Sequence, residues 1–190
     1  MMGQGILTSA YIHFPWCLKK CPYCDFASAA VDRADVRDEA YADAVVAELE
    51  SRDLSGRHLE SVFFGGGTPS LWGADALGRT LEAVRGAFSA THEVEVTVEC
   101  NPTSIDAEKA RELRTVGVNR LSIGVQSLDD ENLRFLGRLH DAAGALEALR
   151  GARSEMAHIS SDLMFGMPGQ DADDFAAEIE TVLEACGSSG

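Results

Sequence analysis

Every β-type run in this chain is separated from the next by a helical pattern, and that alternation constrains the fold more than any single motif. Residues 10–14 (AYIHF) read as a first strand, and 61–64 (SVFF) as a buried run that stops at three glycines. Residues 94–100 (VEVTVEC) alternate at period two, and 120–126 (RLSIGVQ) and 159–165 (ISSDLMF) complete a set of five. Between them, Tyr41, Ala44, Val45 and Leu49 share one helical face, as do Leu77, Leu81, Val84 and Phe88. Phe175, Ile179, Val182, Leu183 and Cys186 mark a last helix, and residues 129–153 hold two helices broken around 137–140. Ser70, Ser104 or Asp106, Asp129 and Asp171 are candidate N-caps.

Such alternation predicts an α/β domain with a mostly parallel sheet, helices outside it and functional residues at the carboxyl ends of the strands. The chemistry-bearing residues obey that rule. Three cysteines follow the first strand. Gly65, Gly66 and Gly67 end the second, Glu99 the third and Gln126 the fourth, while Asp162 lies on the fifth just before GMPGQ. Alone, the glycines suit an ordinary strand-to-helix turn, and each polar residue suits a cap or a surface. Together at five strand ends they point to one ligand-binding mouth.

The cysteines are spaced C-x3-C-x2-C: Cys17, Cys21 and Cys24, in HFPWCLKKCPYCDF. A structural zinc site takes four ligands, commonly in C-x2-C pairs. Cys100 or His13 could complete such a site, so the spacing leaves zinc open. Three thiolates from one loop also fit a [4Fe–4S] cluster with one iron left free of protein, because soft thiolates suit iron–sulfur clusters. Cys100 and Cys186 read as buried small hydrophobes, His13 and His140 as locally hydrogen-bonded, and Met164 and Met167 as core or pocket lining.

Composition narrows the setting. The 190 residues allow one domain with a proper core. No apolar run is long enough to span a bilayer, and MMGQGILTSAYIHF lacks the pattern of a signal peptide. The expected location is therefore the cytoplasm, where clustered thiols stay reduced and a disulfide framework is disfavoured. A net charge of −15 disfavours nucleic acid and anionic membranes, so membrane contact is expected only through a partner. Lys19 and Lys20 form a small basic island, either solvated or attractive to an anion or partner.

At these residues the chain resembles the radical S-adenosylmethionine (SAM) superfamily. The cysteine spacing after a first strand, with Tyr23 before the third cysteine, is similar to its cluster motif, and FFGGGTPS to its glycine motif. With VECNP, GVQSLDDENLRFLGRLH and DLMFGMPGQ, the resemblance is to the oxygen-independent coproporphyrinogen oxidase-like branch, across nearly the whole chain. It implies a partial, open (βα) barrel of about five strand–helix units over residues 1–186, with 187–190 a flexible tail. The family barrel has six units, of which this chain is expected to hold about five, and the family has a C-terminal domain not expected here, so the chain is expected to be a fragment or partner-dependent form. It implies a [4Fe–4S] cluster on Cys17, Cys21 and Cys24. SAM would chelate the open iron and surrender its sulfonium bond to one electron. Tyr11, Tyr23, Gly66, Gly67, Thr68, Glu99, Gln126, Arg138 and Asp162 match positions around SAM, Arg138 as a fork for a carboxylate.

The decarboxylating oxidases of that branch carry a further cysteine two positions after the third, where this chain has Phe26. CPYCDF instead resembles the HemW heme chaperones. That implies heme or porphyrin and a heme-acceptor protein as partners, with SAM cleavage left open. The alternatives are an oxygen-independent coproporphyrinogen III dehydrogenase and a zinc-binding or inactive fragment. An open barrel also leaves a sheet edge through which a dimer could form.

Overall fold

The computed structural model describes residues 6–88 and 93–187. Residues 188–190 of the tail read as flexible, and 1–5 of the N-terminal stretch, lie outside them. The strands are, in chain order, β1 (Ile6–Phe14), β2 (Trp16–Cys17), β3 (Ala29–Ala30), β4 (Arg57–Gly66), β5 (Glu95–Cys100), β6 (Arg120–Gln126) and β7 (His158–Leu163). The helices are α1 (Asp38–Glu50), α2 (Ala74–Ala87), α3 (Ala107–Thr115), α4 (Asp130–Phe135), α5 (Ala142–Glu155) and α6 (Ala172–Ala185).

One sheet runs β1-β4-β5-β6-β7 with every neighbouring pair parallel. Sheet order and chain order coincide, so each crossover adds a strand to the same growing edge. That is the winding of a (βα) barrel wall, not of a doubly wound sheet, whose strand order reverses. The parallel α/β sheet read from the alternation is therefore observed, and so is the partial barrel that the resemblance implies. β2 and β3, which the sequence does not announce, pair with each other at the base of the cysteine loop.

The sheet has two unlike faces because side chains alternate along each strand. On one face Val62, Phe64, Val96, Val98, Leu121, Ile123 and Val125 are at most 1 % exposed. They share the core with Leu77, Leu81 and Val84 of α2, Leu113 of α3 and Leu149 of α5. On the other face the register sets Glu99, Ser122 and Ser160 in one row and Gly124 beside Asp162 in the next. The helix face is thus oily, and the inner face is polar and small-chained from β5 to β7, with the Tyr11 and Phe63 rings stacked on its β1–β4 part.

Asp106, Asp129 and Asp171 cap α3, α4 and α6, and Asp141 caps α5. Ser70 does not cap. It is buried in a short turn (Pro69–Leu71), and its hydroxyl meets that of Ser104 at 2.6 Å, linking the ends of β4 and β5. α2 begins only after Gly73, whose N–H donates to the Asp38 carboxylate. In α1, Ala42 is buried and Ala44 exposed, because the helix turns Tyr41 into an aromatic cluster with Phe14, Trp16 and Trp72. α6 buries Val182 and Ala185, but Ile179 and Leu183 of its expected apolar face remain exposed. β7 stops at Leu163, and the chain then turns at Gly166 (φ +79°), leaving Phe165 exposed. No described helix is long and apolar enough to cross a membrane.

Leu121 lies on β6, an interior strand of the sheet, and is fully buried. Leu121→Ala should cost about 2–5 kcal/mol, the range for removing a fully buried leucine side chain. Urea unfolding should show a lower midpoint with an unchanged slope. An unchanged midpoint would mean that this face is not the packed core.

Candidate functional site

The site begins where β1 ends. Phe14 and Trp16 are held in the aromatic cluster, and the Tyr41 hydroxyl donates to the His13 carbonyl. The chain then leaves the sheet as a loop and returns through β3. Ala29 N–H donates to Pro15 O (2.8 Å) and Val31 N–H to Cys17 O (2.9 Å), closing the base of the loop. Lys20 spans its middle, with Nζ donating to Phe26 O (3.0 Å) and Ser28 O (3.3 Å). One lysine of the expected basic island is therefore a staple of the loop itself.

The three cysteines share this loop. Cys17 is buried, Cys21 and Cys24 are half-buried, and Cys24 N–H donates to Cys21 O. Burial, and then the neighbouring Cys24 and Cys21 sulfurs, push the Cys17 thiol up. Crowded thiols resist ionisation alone and yield to bound cationic metal. The extra zinc ligands weighed in the sequence are committed elsewhere. His13 Nε2 donates to Ala27 O (2.7 Å). Cys100 is buried with its Sγ on Val98 O, and burial pushes its thiol up to about 12. Among the described residues no three His, Cys, Asp or Glu side chains converge as a single ion requires. A donor set of three soft thiolates and no carboxylate fits an iron–sulfur cluster.

The glycine run brings β4 against this loop. Gly66 has φ +114°, and a Cβ there would lie 2.6 Å from His13 Cε1. A Cβ on Gly67 would lie 2.4 Å from Trp16 O. Gly67 N–H donates to Phe14 O and Thr68 N–H to Trp16 O (2.7 Å), so only glycine permits the approach.

Between the loop and the strand ends lies a cleft of about 280 Å³. Cys17, Cys21, Cys24 and Tyr23 form its loop side, and Gly66, Gly67 and Thr68 its β4 side. Glu99, Gln126, Arg138 and Asp162 line it from β5, β6, the α4–α5 connection and β7. Of the residues matched to the SAM site only Tyr11 is not among its lining. Tyr11 is exposed on the edge strand β1, and its hydroxyl donates to His13 Nδ1 (3.2 Å), since Nε2 holds the ring hydrogen against Ala27 O.

Glu99 accepts from Gly66 N–H at 3.0 Å. Burial holds its carboxyl above the usual range, the Gly66 bond opposes this, and the Asp162 charge adds to it. Burial raises Asp162 as well, against the pull of Arg120. Gln126 is the one described non-glycine residue with positive φ (72°), and its side chain folds over Gly124. Such a backbone costs a non-glycine residue about 1 kcal/mol or more. Arg138 Nη2 donates to Gly124 O (2.7 Å), while Nη1 reaches Cys21 Sγ (3.7 Å) and the Tyr23 hydroxyl (3.5 Å). The expected fork is thus partly used by the protein, and Nε is buried without a partner. His140 Nε2 donates to Val125 O (3.0 Å), a local bond of the expected kind. Ser122 and Gly124, which are not among the positions matched to the SAM site, also line the cleft. Both share the strand parity of Gln126, and that parity was the signal for them.

The fold and cleft are those of a recognised class, and the sequence profile of the radical SAM superfamily matches residues 11–182. The chain belongs to the radical SAM superfamily. That membership implies a [4Fe–4S] cluster and SAM. Within the superfamily it is similar to the heme chaperone HemW of Haemophilus influenzae (35 % identity, 93 % of this chain and 48 % of the relative). HemW of Escherichia coli is 37 % identical over 93 % of this chain and 47 % of its own length. The bovine mitochondrial radical S-adenosyl methionine domain-containing protein 1 is 42 % identical over 93 % of this chain and 40 % of its own. Coproporphyrinogen III oxidase (HemN) of Escherichia coli, a radical SAM enzyme, superposes with a TM-score of 0.79 at 29 % identity, covering 96 % of this chain and 42 % of that one. The chain spans about half the length of the curated relatives it matches.

The raised carboxyls fix the sign of a pH dependence. A folded-state pKa above the unfolded value means the folded chain holds the proton more tightly, so stability falls as pH rises from the ordinary carboxyl range through the raised value. Glu99→Gln removes that loss while keeping an acceptor for Gly66 N–H. In metal-free protein the variant should gain on the parent as pH rises through that window, by urea midpoints taken at several pH values. A stability difference independent of pH would show that Glu99 is not desolvated.

Proposed function

We propose that this chain is the cluster- and SAM-binding part of a heme chaperone, with residues 1–186 forming one partial-barrel domain. The observation that carries the reading is the single cleft that joins the three cysteines of one loop to the ends of four strands. Cys17, Cys21 and Cys24 would hold a [4Fe–4S] cluster with one iron open. When bound, the reduced cluster supplies one-electron cleavage of a sulfonium.

The chain's own residues do the positioning. Gly66, Gly67 and Thr68 offer backbone groups and a hydroxyl at closest approach. Glu99 and Asp162 supply acceptors for an ammonium or for ribose hydroxyls. A bound cation beside them would restore their ionised form, because an opposite charge favours it. Gln126 and Arg138 present amide and guanidinium donors to a carboxylate. Tyr23 gives an aromatic flank, and Tyr11 stands at the edge. Heme and its transfer to an acceptor protein come to this reading from the HemW relatives, and Phe26 in place of a further cysteine favours them over an oxidase. The cytoplasm remains the proposed location.

The second reading is oxidative decarboxylation of coproporphyrinogen III, supported by the likeness to the HemN structure. One experiment separates the two. After anaerobic reconstitution, the chaperone reading predicts saturable hemin binding at a one-to-one ratio, followed by Soret absorbance, and no decarboxylated product from coproporphyrinogen III. Product formed with consumption of SAM would replace it with the oxidase reading. Failure to bind either tetrapyrrole would leave the chain without a role in heme metabolism.

A further inference from the structure

Arg138 touches both sides of the cleft. Its Nη2 is fixed on the carbonyl of Gly124, on β6. Its Nη1 faces Cys21 Sγ and the Tyr23 hydroxyl, both in the cysteine loop and more than a hundred residues away in sequence. The residues around it serve the same junction. Gly137, at φ +71°, lies so close to the loop that a Cβ would come 2.8 Å from Pro22 Cδ. His140 is bonded to the carbonyl of Val125, next to the one Arg138 uses. The segment from Gly137 to His140 therefore grips two successive carbonyls of β6 on one side and presses against the cysteine loop on the other.

We propose that Arg138 is a positioning residue that clamps Cys21 to the end of β6 and, through its N–H toward the sulfur, raises the reduction potential of the cluster held there. The potential arm rests on Cys21 being a cluster ligand; the clamp does not. The direction follows from charge. A reduced cluster carries one more negative charge, so a donor and a cation beside a ligating sulfur favour that state, and hydrogen bonds to the sulfurs are among the determinants of cluster potential. The guanidinium suits this task because its planar donors reach a carbonyl and a thiolate at once, which an ammonium cannot do in the same geometry.

The test compares the parent with Arg138→Met and Arg138→Lys in two states. In metal-free protein, hydrogen–deuterium exchange of the peptide covering residues 18–25 should rise about fivefold in Arg138→Met, the factor expected for one hydrogen bond of ordinary net strength. Peptides from β5 should not change, which controls for folding. In reconstituted protein, an EPR-monitored redox titration should place the Arg138→Met cluster at a more negative potential than the parent, with Arg138→Lys between them. Unchanged loop exchange and unchanged potential, with only SAM binding weakened, would overturn the proposal and make Arg138 a SAM ligand alone. If the parent assembles no cluster, the cluster reading fails, and the exchange measurement still decides the clamp.

Discussion

Two glycines let the end of β4 lie against the start of the cysteine loop, and the site depends on that contact. Gly67 packs on the backbone of Trp16 where no side chain fits, and Gly66 lies against the His13 ring. The bonds from Gly67 N–H to Phe14 O and from Thr68 N–H to Trp16 O carry the parallel pairing of β1 and β4 past the end of the regular sheet. The loop is therefore docked on the barrel by backbone contacts of the protein itself. Without that docking the cysteines would sit on a free excursion, and binding would have to meet the entropy of ordering it.

The same contact organises the charges. Glu99 is held by the N–H of Gly66, so the residue that makes the close approach also orients a carboxylate. Asp162 faces Glu99 across the inner wall, and burial acts on both. Arg120 and Arg138 approach this wall, with Lys19 and Lys20 on the loop side of the cleft, and each arginine is also engaged by the protein, Arg120 by Glu95 and Ser160, Arg138 by Gly124. The result is a cleft with acceptors on the β5 and β7 side and a guanidinium on the cysteine side. A ligand carrying both an ammonium and a carboxylate, such as an amino acid moiety, matches that division.

Much of the barrel could be read directly from the residues. Strand–helix alternation carries the parallel sheet and its outer helices, though not the strand order, and the period-two pattern of β5 and β6 carries which residues face inward. The caps at Asp106, Asp129 and Asp171 follow local rules, because a side-chain acceptor and the first free N–H groups are close in sequence. Ser70 broke the rule since a tertiary partner, Ser104, competes for its hydroxyl. The cysteine loop was legible as a donor set but not as a structure. Its β2–β3 pairing spans only two residues a side, too short for any periodicity to register. The double engagement of Arg138 and the left-handed backbone at Gln126 arise from contacts between distant segments, which neither spacing nor propensity encodes.

The central claim is that three cysteines on a docked loop leave one iron of a cluster for a ligand in the cleft. Mössbauer spectra of anaerobic protein reconstituted with isotopically enriched iron, taken with and without SAM, test it directly. The account predicts a [4Fe–4S] cluster in which one iron of the four changes its isomer shift and quadrupole splitting when SAM is added, while three do not. Four irons indifferent to SAM, or iron bound only as single ions, would contradict it.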